Sequence, residues 1–171
     1  MFLRFWRTIR LRGGSWYNSP IERPSNRACA ALVNETMDET ARQIDAAYDP
    51  LYLEGIEHFN KCDFFESHES WEELWTDYRG PSRKFYQGLI QAAVALFHFG
   101  NGNIRGAKKL YHSTCGYLEP YRPKHMGLDL DRFLEQFGRC FAEVAVCDAE
   151  AFPEIEIDPE LIPEIHLDDA A

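Results

Sequence analysis

At 171 residues, with 45% apolar and 14% aromatic side chains, the chain is long enough and hydrophobic enough for one domain with a real core, which excludes global disorder. Its net charge of −10 argues against nucleic acid or an anionic membrane as partner, because both repel an acidic surface. The five cysteines, Cys29, Cys62, Cys115, Cys140 and Cys147, are odd in number and form no CxxC pair, so they suggest neither a disulfide framework nor a zinc knuckle, and they fit reduced thiols in the cytoplasm.

Residues 1–36 carry Arg4, Arg7, Arg10, Arg12, Arg23 and Arg27 against Glu22 and Glu35, a balance of +4 that leaves −14 for the remainder. This segment is expected to be a disordered or non-native extension, and Met37-Asp38-Glu39-Thr40 offers a second possible start beside Met1. The alternative is an organelle transit peptide, since the stretch before Glu22 is arginine-rich and free of acids. The apolar run Met1–Trp6 is too short for a secretory signal or a membrane span. An all-helical domain is expected over 37–152 and an extended tail over 153–171.

Asp49-Pro50 opens the first predicted helix, an N-cap followed by proline at the first helical position, with Tyr52, Leu53, Ile56 and Phe59 on one face. Asp63 and Glu66 have capping-box spacing and open a second helix that Gly80-Pro81 stops. A third runs from Ser82 to Phe99. It is apolar nearly all round, as befits the centre of a bundle, but Lys84, Gln87, Gln91 and His98 interrupt it too heavily for a membrane span. After Gly100-Asn101-Gly102-Asn103, Asn103 caps a fourth helix that ends before Pro120 and Pro123. Asp129 caps a fifth, with Leu130, Phe133, Phe137, Cys140, Phe141 and Val144 at helical spacing. Short loops between consecutive helices predict an all-α fold, a compact bundle of about five mostly antiparallel helices. Beyond Phe152, Pro153, Pro159 and Pro163 exclude a regular helix, so 153–168 is expected to lie on the bundle as an extended, proline-rich strap.

Counting 100° per residue places the polar side chains. In the second helix Phe64, Trp71, Leu74, Trp75 and Tyr78 define the apolar arc. His68 falls within it and Glu72 at its edge, whereas Glu66, Glu69, Glu73 and Asp77 form a solvated face. Gln87, Gln91 and His98 share a stripe on the third helix, beside the small residues Gly88 and Ala95 that let a neighbour approach. Such polar groups must find partners or lose about 1–3 kcal/mol each. They are therefore expected to meet in one cluster of His68, Glu72, Gln87, Gln91, His98 and Asn103. No GxSxG, P-loop, GxGxxG or HExxH motif is present, and the ExxH pairs of ferritin-like bundles are missing as well.

The segment His68-Glu69-Ser70-Trp71-Glu72-Glu73-Leu74-Trp75 resembles the HxxxEExW signature of domain-of-unknown-function family 309. Leu89-Ile90-Gln91, Gly102-Asn103 and Gly106-Ala107 follow in the family's order. The resemblance covers roughly residues 52–119. It implies a compact all-helical domain, found in bacteria and some plastid-bearing eukaryotes, and implies no established activity. The family motif picks out His68, Glu72, Gln91 and Asn103.

Two functional readings follow. In the favoured one the cluster is a buried structural network in a non-catalytic or interaction module. In the alternative it is a metal or small-ligand site, with His68 and Glu72 as ligands of a divalent metal in a hydrolase-like enzyme. The expected partner is accordingly a protein or a small ligand.

Overall fold

The computed structural model describes residues 48–147 and 155–168. The expectations for residues 1–36 and for the Met37 start lie outside the described residues. Four helices run in succession: α1 (Pro50–Asn60), α2 (Phe64–Asp77), α3 (Arg83–Gly100) and α4 (Ile104–Leu118). A 3-10 turn and a two-residue hairpin follow, β1 (Lys124–His125) against β2 (Leu128–Asp129), then α5 (Leu130–Cys140) and α6 (Ala142–Val146).

Of the four Asp and Asn residues expected to cap a helix, three accept from its free amides. Asp49 caps α1 through Leu51 N, Asn103 caps α4 through Gly106 N, and Asp129 caps α5 through Arg132 N. Asp63 is the exception. It stands at the N-cap of α2 without a side-chain capping bond, so its spacing to Glu66 does not make a capping box. Its carboxylate lies instead 3.9 Å from Nδ1 of the half-buried His58.

The helices alternate in direction, and the side chains that lock each pair show it. Across α1 and α2, Trp71 Nε1 donates to the Tyr52 carbonyl at 3.1 Å, Ser67 Oγ donates to the Gly55 carbonyl at 2.8 Å, and Phe59 meets Phe64. Across α3 and α4, Leu118 lies over Gly88 and His98 over Gly106, so the small residues do admit a close neighbour. Gly55 shows why: a Cβ there would sit 2.1 Å from Trp71 Nε1.

α3 is the central helix. Phe85, Leu89, Ala92, Ala93, Ala95 and Leu96 are fully buried, and the core continues through Phe133, Phe137 and Phe141. The fifth predicted helix is two pieces, because the backbone leaves helical geometry at Phe141 (φ −96°, ψ 8°) before α6 resumes. The hairpin has no counterpart among the predicted elements. Met126 (φ 49°) and Gly127 (φ 74°) turn it with two successive left-handed residues, the geometry of a type I′ turn. The segment 155–168 lies on the bundle as an extended strap containing one 3-10 turn, Pro159–Leu161.

Candidate functional site

α2 turns Phe64, Ser67, Trp71 and Leu74 into the core. The neighbouring flank carries Phe65, His68, Glu72 and Trp75, and α3 runs beside that flank. Near one end Phe65 meets Phe97, with ring centroids 5.9 Å apart. At the other, the Arg83 guanidinium stacks 3.9 Å above the Trp75 ring and donates to the carbonyls of Trp75 and Tyr78. Arg83 thereby occupies two of the carbonyls that the end of α2 leaves free. Trp75 is half-buried under it, not a core residue like Trp71, which is fully buried. The register set by these two contacts brings the His68–Glu72 turn alongside the middle of α3.

His68 Nε2 donates to Glu72 Oε2 at 3.0 Å, one turn along the same helix. His68 Nδ1 lies 3.3 Å from the Phe65 carbonyl, so both ring nitrogens face an acceptor. The two side chains are 18% and 38% exposed, so the pair is neither sealed in the core nor free in solvent. Glu73 is exposed, as its position on the solvated face requires. The Phe65 ring lies 5.7 Å from the His68 ring and remains 46% exposed, an unusual position for a large aromatic.

The second pair forms on the other flank of α3. Asn103 Oδ1 accepts from Gly106 N, which fixes the orientation of its amide and directs Nδ2 at His98 Nδ1, 3.0 Å away. One asparagine therefore caps α4 and holds a histidine of α3. His98 is only 8% exposed, and burial pushes its imidazole below the usual value. A Cβ on Gly106 would lie 2.6 Å from Asn103 Nδ2 and 3.0 Å from His98 Cδ2, so the glycine makes room for this contact.

Four of the six candidate residues form two pairs. His68 pairs with Glu72 at the α2 seam and His98 with Asn103 at the α4 seam. The rings of Phe65 and Phe97 lie between the two histidines. Gln87 and Gln91 are half-buried, and Gln91 Oε1 is enclosed with no hydrogen-bond partner among the described residues.

The donor set fits a metal poorly. His68 and Glu72 supply two ligands already bound to each other, and a catalytic zinc takes three from the protein. Among the described residues no group of three or more His, Cys, Asp and Glu is placed to hold a metal ion.

One polar contact escapes sequence reasoning altogether. Ser82 Oγ and His125 Nε2 are 2.8 Å apart, joining the start of α3 to the hairpin across 43 positions. The His125 ring packs against Phe85 and Tyr121, and burial pushes its imidazole down. A serine beside a histidine suggests a nucleophile and its base, but Ser82 is only 3% exposed, which leaves no approach for a substrate. No local pattern announces this pair, because His125 sits in a stretch without helical period.

Residues 52–110 match a family model described as "Domain of unknown function (DUF309)". The chain is also 33% identical over 106 residues to a Bacillus subtilis (strain 168) protein, "Uncharacterized protein YpuF", covering 60% of this chain and 61% of that one. A 46-residue stretch is 44% identical to an "Uncharacterized protein" of Aquifex aeolicus (strain VF5), covering 26% of this chain and 14% of the relative. The chain therefore spans less than two thirds of either relative. The matched region contains α2, α3 and the Asn103–Gly106 cap, the parts from which both histidine pairs are built. Residues 52–110 thus match the DUF309 family model, and the similarity to the Bacillus subtilis protein agrees with that match.

Proposed function

We propose that this chain is a non-catalytic interaction module whose contact surface is the face shared by α2 and α3. The observation that carries the reading is Phe65, an aromatic ring 46% exposed beside the His68–Glu72 pair and the half-buried Phe97. Trp71, Leu74, Trp75 and Asn103 of the signature blocks have structural duties that account for them. Trp71 and Leu74 fill the core, Trp75 takes the Arg83 guanidinium, and Asn103 caps α4. Phe65 has no comparable internal duty that demands its exposed position. Exposed aromatic side chains flanked by fixed polar groups are the usual anchors of protein contacts.

A reducing, cytoplasmic setting agrees with this reading. Cys115, Cys140 and Cys147 are free thiols, and among the described residues no helix is long and apolar enough to cross a membrane. The net charge of −10 favours a protein partner over nucleic acid.

The test is photo-crosslinking in the native host, with a photoreactive residue at exposed Glu69 and a control at exposed Arg132 on α5. A discrete adduct is expected from position 69 alone, and Phe65→Ser is expected to abolish it while the fold persists. An adduct that survives Phe65→Ser, or equal labelling from both positions, overturns the assignment of the face.

A further inference from the structure

The strap is held by main-chain hydrogen bonds as well as by its apolar side chains. Asn60, the last residue of α1, donates from Nδ2 to the Ile165 carbonyl at 2.8 Å and accepts at Oδ1 from Ile165 N at 2.8 Å. A single side-chain amide thus satisfies both main-chain groups of one strap residue, as a neighbouring strand does. Two residues on, Leu167 bridges Leu128 of β2 in antiparallel fashion, and Asp168 N donates to the Gly127 carbonyl at 2.8 Å. Lys124 pairs with the Asp168 carboxylate at the end of the run.

The strap alternates as a strand does. Ile165 is 1% exposed and Pro163 is buried, while His166 and Asp168 face solvent. Main-chain bonds supply the hold and alternate side-chain pockets supply the selectivity, which is the logic of peptides that add a strand to an existing edge. The reading groups, Asn60 and the Gly127–Leu128 edge, belong to the bundle and its hairpin, and Asn60 lies inside the DUF309 match whereas the strap lies outside it.

We propose that the groove between the end of α1 and the β2 edge is a site for extended peptides, occupied in this chain by residues 163–168 as an internal ligand. Its ligands carry apolar residues at alternate positions followed by an acid that meets Lys124. The strap competes with a peptide in trans, because tethering gives it an effective concentration in the millimolar range. The groove is separate from the α2–α3 face and does not depend on the function proposed for that face.

The test uses the full chain and a fluorescent peptide with the sequence of residues 159–168, followed by anisotropy. Ile165→Asp weakens the strap in cis, and the peptide is expected to bind this variant on the order of 10–100-fold more tightly than the parent. Adding Asn60→Ala is expected to remove that binding while circular dichroism stays helical. If the folded Ile165→Asp chain takes up no peptide, or takes it up regardless of Asn60, the proposal is wrong. If Ile165→Asp unfolds the protein, the milder Leu167→Ala replaces it. Unfolding of that variant too would make the strap an inseparable part of the core and also overturn the proposal.

Discussion

At the scale of single residues, two tryptophans one turn apart on α2 meet different surroundings. Trp71 points into the core and donates to the Tyr52 carbonyl, while Trp75, one turn later, lies at the seam beneath Arg83. Trp71→Ala is expected to cost about 3–5 kcal/mol in denaturant unfolding, the usual penalty for deleting a buried large aromatic. Trp75→Ala is expected to cost less than half of that, because solvent already reaches the ring and a guanidinium stack contributes only about 0.5–1 kcal/mol at an exposed site. Equal costs would show that the two rings share one environment.

His98 gives a pH dependence whose sign is fixed by burial. Its folded-state value lies below the unfolded imidazole value of about 6.5, so the unfolded chain takes up a proton first. The stability this histidine confers is therefore complete above about pH 6.5 and is lost as pH falls through the folded value. His125 is shifted in the same direction and by the same cause, so the two add. The melting temperature is expected to fall between about pH 7 and 5, and His98→Asn is expected to flatten part of that slope. A melting temperature that rises over the same interval would contradict the burial of both rings.

At the scale of elements, the caps and the close contacts decide how helices join. Asn103 serves two helices at once, so Asn103→Ala removes a cap, typically about 1 kcal/mol, and also strips His98 of its donor. A total loss of about 2–3 kcal/mol is expected in thermal or chemical unfolding. Asn103→Asp restores the cap and is expected to recover at least the capping part. No recovery by Asp would mean that the cap contributes nothing.

Helix existence was legible in the sequence because caps and apolar period are local properties. Asp49-Pro50, Asn103 and Asp129 each mark a real N-terminus, and the all-round apolar third helix is the centre of the bundle. The strap was legible too, since prolines at 159 and 163 exclude a helix and apolar residues at 155, 157, 162, 165 and 167 need cover. What spacing does not carry is the distribution of partners across seams. The wheel turned Gln87, Gln91 and His98 to one stripe, but α3 has a neighbour on each side of that stripe, so His98 finds its donor on α4 and His68 finds its acceptor on its own helix. The hairpin and the Ser82–His125 contact depend on long-range closure and leave no local pattern to read.

On the scale of the whole molecule, the bundle divides its signature residues between construction and display. The core is built from Trp71, the buried aromatics of α1 and α3, and the Phe133–Phe137–Phe141 series, and it does not require Phe65 or the His68–Glu72 pair. Glu72 is 38% exposed, so its bond to His68 is screened and contributes no more than about 1 kcal/mol. A face that is spare for folding is free for contact, and that separation can be measured. Guanidinium unfolding of the double variant Phe65→Ser, Glu72→Gln is the most direct measurement. The account predicts a free energy within about 1 kcal/mol of the parent chain, against the much larger loss for Trp71→Ala. A loss of about 3 kcal/mol or more would show that the face is part of what holds the bundle together, and would contradict its reading as a contact surface.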